Sequence, residues 1–324
     1  MLAALTTTVD ASITVWGGLL AVLAVMIVID LKVGSARAGL TIRTAALWSA
    51  IWVSLSVAFG VVLWASAGVE AGEGYFAGYV MEKALSLDNV FVFTLIFAAL
   101  AVPRDAQARL LLYGILIALV LRAAFIFAGA EALETYSWVA YPFAALLAWT
   151  GYRILRTKEG HDEGVAIVDR IRRRVPMTDR TDAPGFFVQE NGRRLATPAL
   201  AALAAIALAD VIFAVDSVPT ILAITTDTFV VFAANAFALL GLRALFFLVS
   251  GLVEKFRYLK LGLGVLLITI AAKLVYGEIT GEKIPTSITL ATIVGVLAVS
   301  IAASVRSANR DRRATTAAGG QPLD

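Results

Sequence analysis

Long apolar runs alternate with short polar ones along the whole chain. A helix needs about 20 mostly apolar residues to cross a bilayer. Nine stretches come close to that length, at roughly 12–29, 44–66, 78–102, 110–129, 138–155, 198–225, 228–253, 259–276 and 288–305. The pattern predicts an all-α polytopic membrane protein, with a membrane domain over residues 1–305. The one sizeable polar interruption, 156–197, contains RIRRRVPMTDRTDAPGFFVQENGRR and reads as a linker or small cytoplasmic cap. The stretch 306–324 is small and polar and is expected to be a disordered cytoplasmic tail. The opening MLAALTTTVD has no Lys or Arg, so it lacks the basic start of a cleaved signal and the first span is expected to stay.

Charge in the connecting segments orients the spans. Bases mark the first loop (Lys32, Arg37, Arg43), the third (Arg104, Arg109), the fifth (Arg172, Arg173, Arg174), the seventh (Lys255, Arg257, Lys260) and the tail (Arg306, Arg310, Arg312, Arg313). Acids mark the second (Glu70, Glu73), fourth (Glu131, Glu134) and sixth (Asp227) loops, while the eighth holds Glu278 and Glu282 beside Lys283. Positive charge favours the cytoplasmic side. The expectation is a multi-pass protein of the inner (plasma) membrane, with its N-terminus outside and its C-terminus in the cytoplasm.

Composition agrees and narrows the chemistry. Hydrophobic residues make up 60% of the 324, charged residues 16%, and the mean hydropathy is +0.86. A soluble fold this size would have too little polar surface to cover such a core. The net charge of +3 and pI near 9.2 follow from the loop bases, so nucleic acid is not an expected partner; the lipid bilayer is. There is no Cys, and the single His, His161, falls in the polar interruption. That argues against disulfides, a Cys/His zinc site, thiol chemistry and His-ligated haem. Any metal held by the protein would need oxygen ligands, which points to Mg, Ca or Mn. No nucleophile–base pair is recognisable, so an enzyme is not expected, nor a tightly bound cofactor.

Two segments repeat. EKALSLDNVFVF begins at Glu82 and DVIFAVDSVPTI at Asp210. Each has an acid, then Asp six residues later, then a small polar residue: Glu82, Asp88, Asn89, and Asp210, Asp216, Ser217. The next span of each half carries an arginine, in LRAAFIF (Arg122) and LRALFFL (Arg243). Spans three to five thus match spans six to eight. A shift of three helices makes the halves inverted, an arrangement that recurs in secondary transporters with the ion site between the repeats.

Ionisable groups at membrane depth cost at least about 2.5–3.5 kcal/mol each on insertion scales. Glu82, Asp88, Asp210 and Asp216 are the intramembrane acids, and Lys83, Arg122 and Arg243 the intramembrane bases. Full pairing leaves one acid over, which must be protonated or face a cation. With Asn89 and Ser217 nearby, the carboxylates suggest an oxygen-ligand site for a divalent ion. Six residues turn a helix by about 600°, so the two acids of each motif point about 120° apart. Either they serve two purposes or the helix is interrupted, and Pro219 suggests a break in the sixth span. The preferred assignment puts Asp88 and Asp216 at the ion, with Glu82 and Asp210 coordinating, relaying protons or pairing with Arg122 and Arg243. Asp30, at the inner end of the first span, reads as an interfacial acid in preference to a gate. Asn235 suits an interhelical hydrogen bond or a reach to the ion equally.

At these motifs the chain resembles the TerC family of integral membrane proteins, linked to tellurite resistance and metal homeostasis. The resemblance rests on MEKALSLDNVFVF from Met81, LLLYGILIALVLRAAFIF from Leu110, TPALAALAAIALADVIFAVDSVPTILAIT from Thr197, NAFALLGLRALFFL from Asn235 and YLKLGLGVLLITIAAKL from Tyr258. It implies a fold akin to cation exporters and, in some members, export of manganese. It also implies that Glu82, Asp88, Asn89, Asp210 and Asp216 handle the ion. Two positions depart from the family pattern: Ala207 stands where a Glu is common, and Ala234 where a Ser is common. Together these readings predict export of a divalent cation, Mn²⁺ foremost, with proton antiport as a coupling route. The alternatives are an oxyanion-handling protein using Arg122 and Arg243, or a non-transporting membrane stress-response scaffold.

Overall fold

The computed structural model describes residues 9, 11–35, 42–156, 162–178, 180, 185–190, 192–249, 257–282 and 284–317. His161 and the loop bases Arg37, Lys255 and Lys283 lie outside the described residues. The helices are α1 (Ile13–Ser35), α2 (Ile42–Ala67), α3 (Val69–Ala99), α4 (Arg104–Thr135), α5 (Ala140–Arg156), α6 (Asp162–Arg172), α7 (Pro198–Leu222), α8 (Thr228–Leu239), α9 (Leu242–Val249), α10 (Arg257–Thr280) and α11 (Thr286–Ala317).

Six of these, α1, α2, α4, α7, α10 and α11, are long and apolar enough to cross a membrane, and the bent pair α8–α9 makes a seventh. The protein is therefore a multi-pass membrane protein, short of the nine expected spans by this measure. The other two expected spans correspond to α3, which carries Glu82, Lys83 and Asp88, and to α5, which has 17 residues. α3 tolerates its charges because protein surrounds it: it packs against α2, α6, α7, α8, α9 and α11. Large apolar side chains such as Val62 (64% exposed) and Val120 (70%) instead face outward on α2 and α4, as lipid contact demands.

Local chemistry sets the boundaries. Thr197 caps α7, its hydroxyl accepting from Leu200 N–H, with Pro198 at the first helical position. Asp227 caps α8 by accepting from Val230 N–H at 3.1 Å. Pro219 does not break α7, which runs on to Leu222; the expected interruption is absent there. The break falls instead between α8 and α9, which bend by 42°. Gly241 sits at that bend with φ +87, in the left-handed region that side chains disfavour, and against Trp52.

Outside the bundle the structure adds detail. The interruption between α5 and α7 holds α6 and a short antiparallel hairpin, β1 (Phe187–Glu190) and β2 (Arg193–Ala196), within a fold that is otherwise all-helical. α6 packs on α3 and α7, placing Ile167 and Val168 in one apolar cluster with Phe93 and Ile96. Gly164 permits this, since a Cβ there would lie 2.8 Å from Leu95 Cβ and 3.0 Å from the Val92 carbonyl oxygen. Finally, α11 continues as helix through Ala317, where a disordered tail was expected from residue 306.

Candidate intramembrane charge site

Arg122, on α4, is 1% exposed and stands between acids of two other helices. Its Nη1 donates to Glu82 Oε1 of α3 and, at 3.2 Å, to Ser217 Oγ of α7. Its Nη2 donates to Asp210 Oδ1 at 3.1 Å, and its Nε faces both Asp210 oxygens at 3.3 and 3.4 Å. Asp210 and Ser217 lie seven residues apart on α7, two turns along one face. Glu82 and Asp210 are 0% and 2% exposed. Two carboxylates thus share one guanidinium, and a fully ionised cluster holds one negative charge in excess. Glu82 Oε2 has no hydrogen-bond partner.

Asp88 and Asp216 occupy the other faces of the same helices, as the 120° rotation requires. Asp88 pairs with Lys260 of α10 at 3.0 Å, both side chains more than a third exposed. Asp216 Oδ1 accepts from Thr150 Oγ1 of α5 at 2.9 Å. α5 and α10 pack on one another, so both aspartates face that helix pair rather than Arg122. No group of three or more acidic or His side chains positioned to hold a metal occurs among the described residues. Asp88 and Asp216 thus lie on faces of α3 and α7 other than those that meet Arg122, and both turn toward the α5–α10 pair. Asn89 is buried, with its Nδ2 unpartnered.

The remaining bases also find partners. Lys83 Nζ donates to the Ala238 carbonyl at 3.1 Å, in the last turn of α8, where carbonyls lack intrahelical donors. Arg243 of α9 meets Asp30 of α1, donating from Nη2 to its Oδ1 at 2.9 Å and to its backbone carbonyl. Asp30 is 7% exposed, so it is a buried ion-pair partner near the end of its span. The two arginines of the repeated motifs therefore have unlike partners. α4 is also one unbroken helix where α8–α9 is bent. The inverted repeat remains a sequence pattern.

Sequence comparison places this arrangement among known proteins. A model of the integral membrane protein TerC family matches residues 67–313. The chain is 44% identical over 293 residues to an uncharacterized membrane protein of Myxococcus xanthus, covering 90% of this chain and 91% of that one. It is 39% identical over 298 residues to an Escherichia coli K12 protein named membrane-bound redox modulator Alx, covering 88% and 92%. An uncharacterized membrane protein of Mycobacterium bovis is 36% identical over 251 residues, covering 76% of this chain and 63% of that one. No solved structure matches. The chain belongs to the TerC family of integral membrane proteins.

Proposed function

We propose that this protein exports a divalent cation, manganese foremost, across the inner membrane, with protons as the exchanged ion. The observation that carries the reading is the fully buried Glu82–Arg122–Asp210 cluster, whose two carboxylates share one guanidinium, so that full ionisation leaves these three groups one negative charge in excess. A buried uncompensated carboxylate is expensive unless it takes up a proton or a cation. Either ion relieves the same excess, so proton and metal compete for one place, which is the basis of an exchange cycle. Glu82 and Asp210 supply hard oxygen ligands, and Ser217 a neutral one, as Mn²⁺ and Mg²⁺ prefer. Arg122 holds the carboxylates while the place is empty. Asp88 and Asp216, on the more exposed faces, serve as ion contacts on the way in or out. We read the loop bases as cytoplasmic, with the N-terminus outside.

The oxyanion reading is weaker, because Arg122 and Arg243 both spend their guanidinium groups on carboxylates. The redox function in the name of the E. coli relative cannot run on thiols of this chain, which has no Cys. The test is Mn²⁺ uptake into proteoliposomes carrying a pH dye, with wild type beside Glu82→Gln, Asp210→Asn, Asp88→Asn and Asp216→Asn. We expect flux that Glu82→Gln and Asp210→Asn abolish, accompanied by proton movement in the opposite direction. Well-folded wild type that moves no Mn²⁺, Mg²⁺ or Ca²⁺ would sink the reading in favour of a membrane scaffold.

A further inference from the structure

Glu82 belongs to a longer row of buried polar side chains. On α3, Tyr75, Tyr79, Glu82, Ser86 and Asn89 follow one another at steps of four, three, four and three. That spacing keeps all five on one face of the helix. Such a face in the middle of a bundle is ordinarily apolar. Here Glu82 and Ser86 are 0% exposed and Asn89 2%, and Glu82 Oε2, Ser86 Oγ and Asn89 Nδ2 have no hydrogen-bond partner. The serine is notable, because a helical Ser can satisfy itself on the carbonyl four residues back. Ser56, Ser66, Ser300 and Ser304 of this protein do so, and Ser86 does not.

A second helix supplies more of the same. Asn235 of α8 is 1% exposed, and neither its Nδ2 nor its Oδ1 is partnered. Gly78 lies against Ala234, and Lys83 reaches the Ala238 carbonyl, so α8 runs alongside α3 in the same direction. That register sets Asn235 about level with Tyr79, one turn from Glu82. Unpaired buried polar atoms in folded proteins are few, and a cluster of them needs an occupant with polar chemistry of its own, water or an ion. Apolar and aromatic side chains flank the row at its two ends. Beyond Asn89 the same face continues as Phe93 and Ile96, packed with Ile167 and Val168 of α6. At the other end Tyr75 and Tyr79 stack at 6.0 Å, and Tyr75 OH donates to the Ser56 carbonyl at 3.0 Å.

We propose that Ser86, Asn89 and Asn235 line a hydrated chamber around Glu82 through which a partly hydrated divalent cation passes. Ser86 and Asn89 lie on the α6 side of Glu82, and Asn235 on the opposite side. The row from Glu82 to Asn89 covers about 10 Å of helix at 1.5 Å per residue. The Ser86 hydroxyl and the Asn235 amide oxygen replace waters of the cation without adding charge, and Asn89 Nδ2 donates to a water of its shell, so the ion leaves Glu82 without being trapped again. The inference rests on the cation-transport reading, but its test is separable from transport.

The test is cysteine accessibility, which the protein suits because it has no Cys of its own. Ser86→Cys and Asn89→Cys, in full-length protein in proteoliposomes, are exposed to a small hydrophilic methanethiosulfonate. Met81→Cys is the control: Met81 is equally buried, at 0% exposed, but sits in an apolar cluster off this face. We expect both row positions to react, Met81→Cys to stay unmodified, and Mn²⁺ alone to slow the reaction at the row. Reaction at Ser86→Cys and Asn89→Cys no faster than at Met81→Cys overturns the chamber. Reaction that Mn²⁺ leaves unchanged overturns the cation as its occupant. If the row reacts and Mn²⁺ protects it while wild type shows no Mn²⁺ flux, the chamber and its ion stand and only the transport reading falls.

Discussion

Removing Arg122 and removing Glu82 should have very different consequences for stability, although the two side chains touch. Arg122→Met leaves two carboxylates, 0% and 2% exposed, with no cation between them. Breaking a buried ion pair by deleting one partner costs about 3–5 kcal/mol. Glu82→Gln leaves Arg122 paired one-to-one with Asp210, keeps an oxygen to accept from Nη1, and removes the excess charge. Its net cost should be that of one altered hydrogen bond, about 1 kcal/mol or less. The difference, about 3 kcal/mol, corresponds to roughly 6–12 °C in the unfolding midpoint at about 2–4 °C per kcal/mol. The assay is thermal unfolding of the detergent-purified protein followed by tryptophan fluorescence. Arg122→Met should melt lowest, and adding Glu82→Gln and Asp210→Asn to it should restore most of the loss, because the triple variant buries no charge at the site. Coupling of this kind is what contacting residues show and independent ones do not. If Glu82→Gln melts as low as Arg122→Met, or if the triple variant recovers nothing, the cluster is not the net-negative unit described. Glu82→Gln that is stable and inactive would, in turn, assign Glu82 to function rather than to folding.

Other expectations can be read from the same melts. Arg243→Met should cost about 3–5 kcal/mol because it strands the buried Asp30, whereas Lys260→Gln, whose pair with Asp88 is more than a third exposed, should stay within about 1 kcal/mol. Gly241→Ala should destabilise by about 1–2 kcal/mol or more, since the left-handed backbone disfavours a Cβ and that atom would lie 2.9 Å from Trp52 Cβ; an unchanged midpoint would show that the bend relaxes freely. Burial raises the carboxyl of Asp227, in the segment before α8, above the ordinary carboxylate range. The native state then binds a proton that the unfolded chain releases, so this group adds stability as pH falls through its raised value and withdraws it as pH rises. Asp227→Asn should flatten that slope in melts taken across the acidic range.

The sequence carried the membrane class, the family and the short roster of charged residues, because those depend on composition and on two compact motifs. It also carried the division of labour within each motif: a six-residue spacing forbids Glu82 and Asp88 from facing one point, and they do not. What it could not supply was which acid meets which base. Arg122 and Arg243 sit in similar heptapeptides, yet one bridges two acids from α3 and α7 and the other takes Asp30 from α1. Pairing across helices is set by packing, which a linear pattern does not encode. Pro219 was over-read, since a proline near the end of a helix removes one bond without ending it, while Gly241 was passed over. Ser86 was missed although its signal was present, one turn beyond Glu82 on the same face. A span count by apolar length also undervalues α3, whose charges are shielded by neighbouring helices rather than by its own composition.

The seating of α6 reaches further than the packing that holds it. Its apolar side chains close the face of α3 just beyond Asn89, and Arg172 donates to the Ala99 carbonyl at the end of that helix. On the transport reading proposed above, water and ions entering from that side have to displace α6, so a short tether that pins α6 to α3 is expected to slow Mn²⁺ flux without contacting a single charged group of the site.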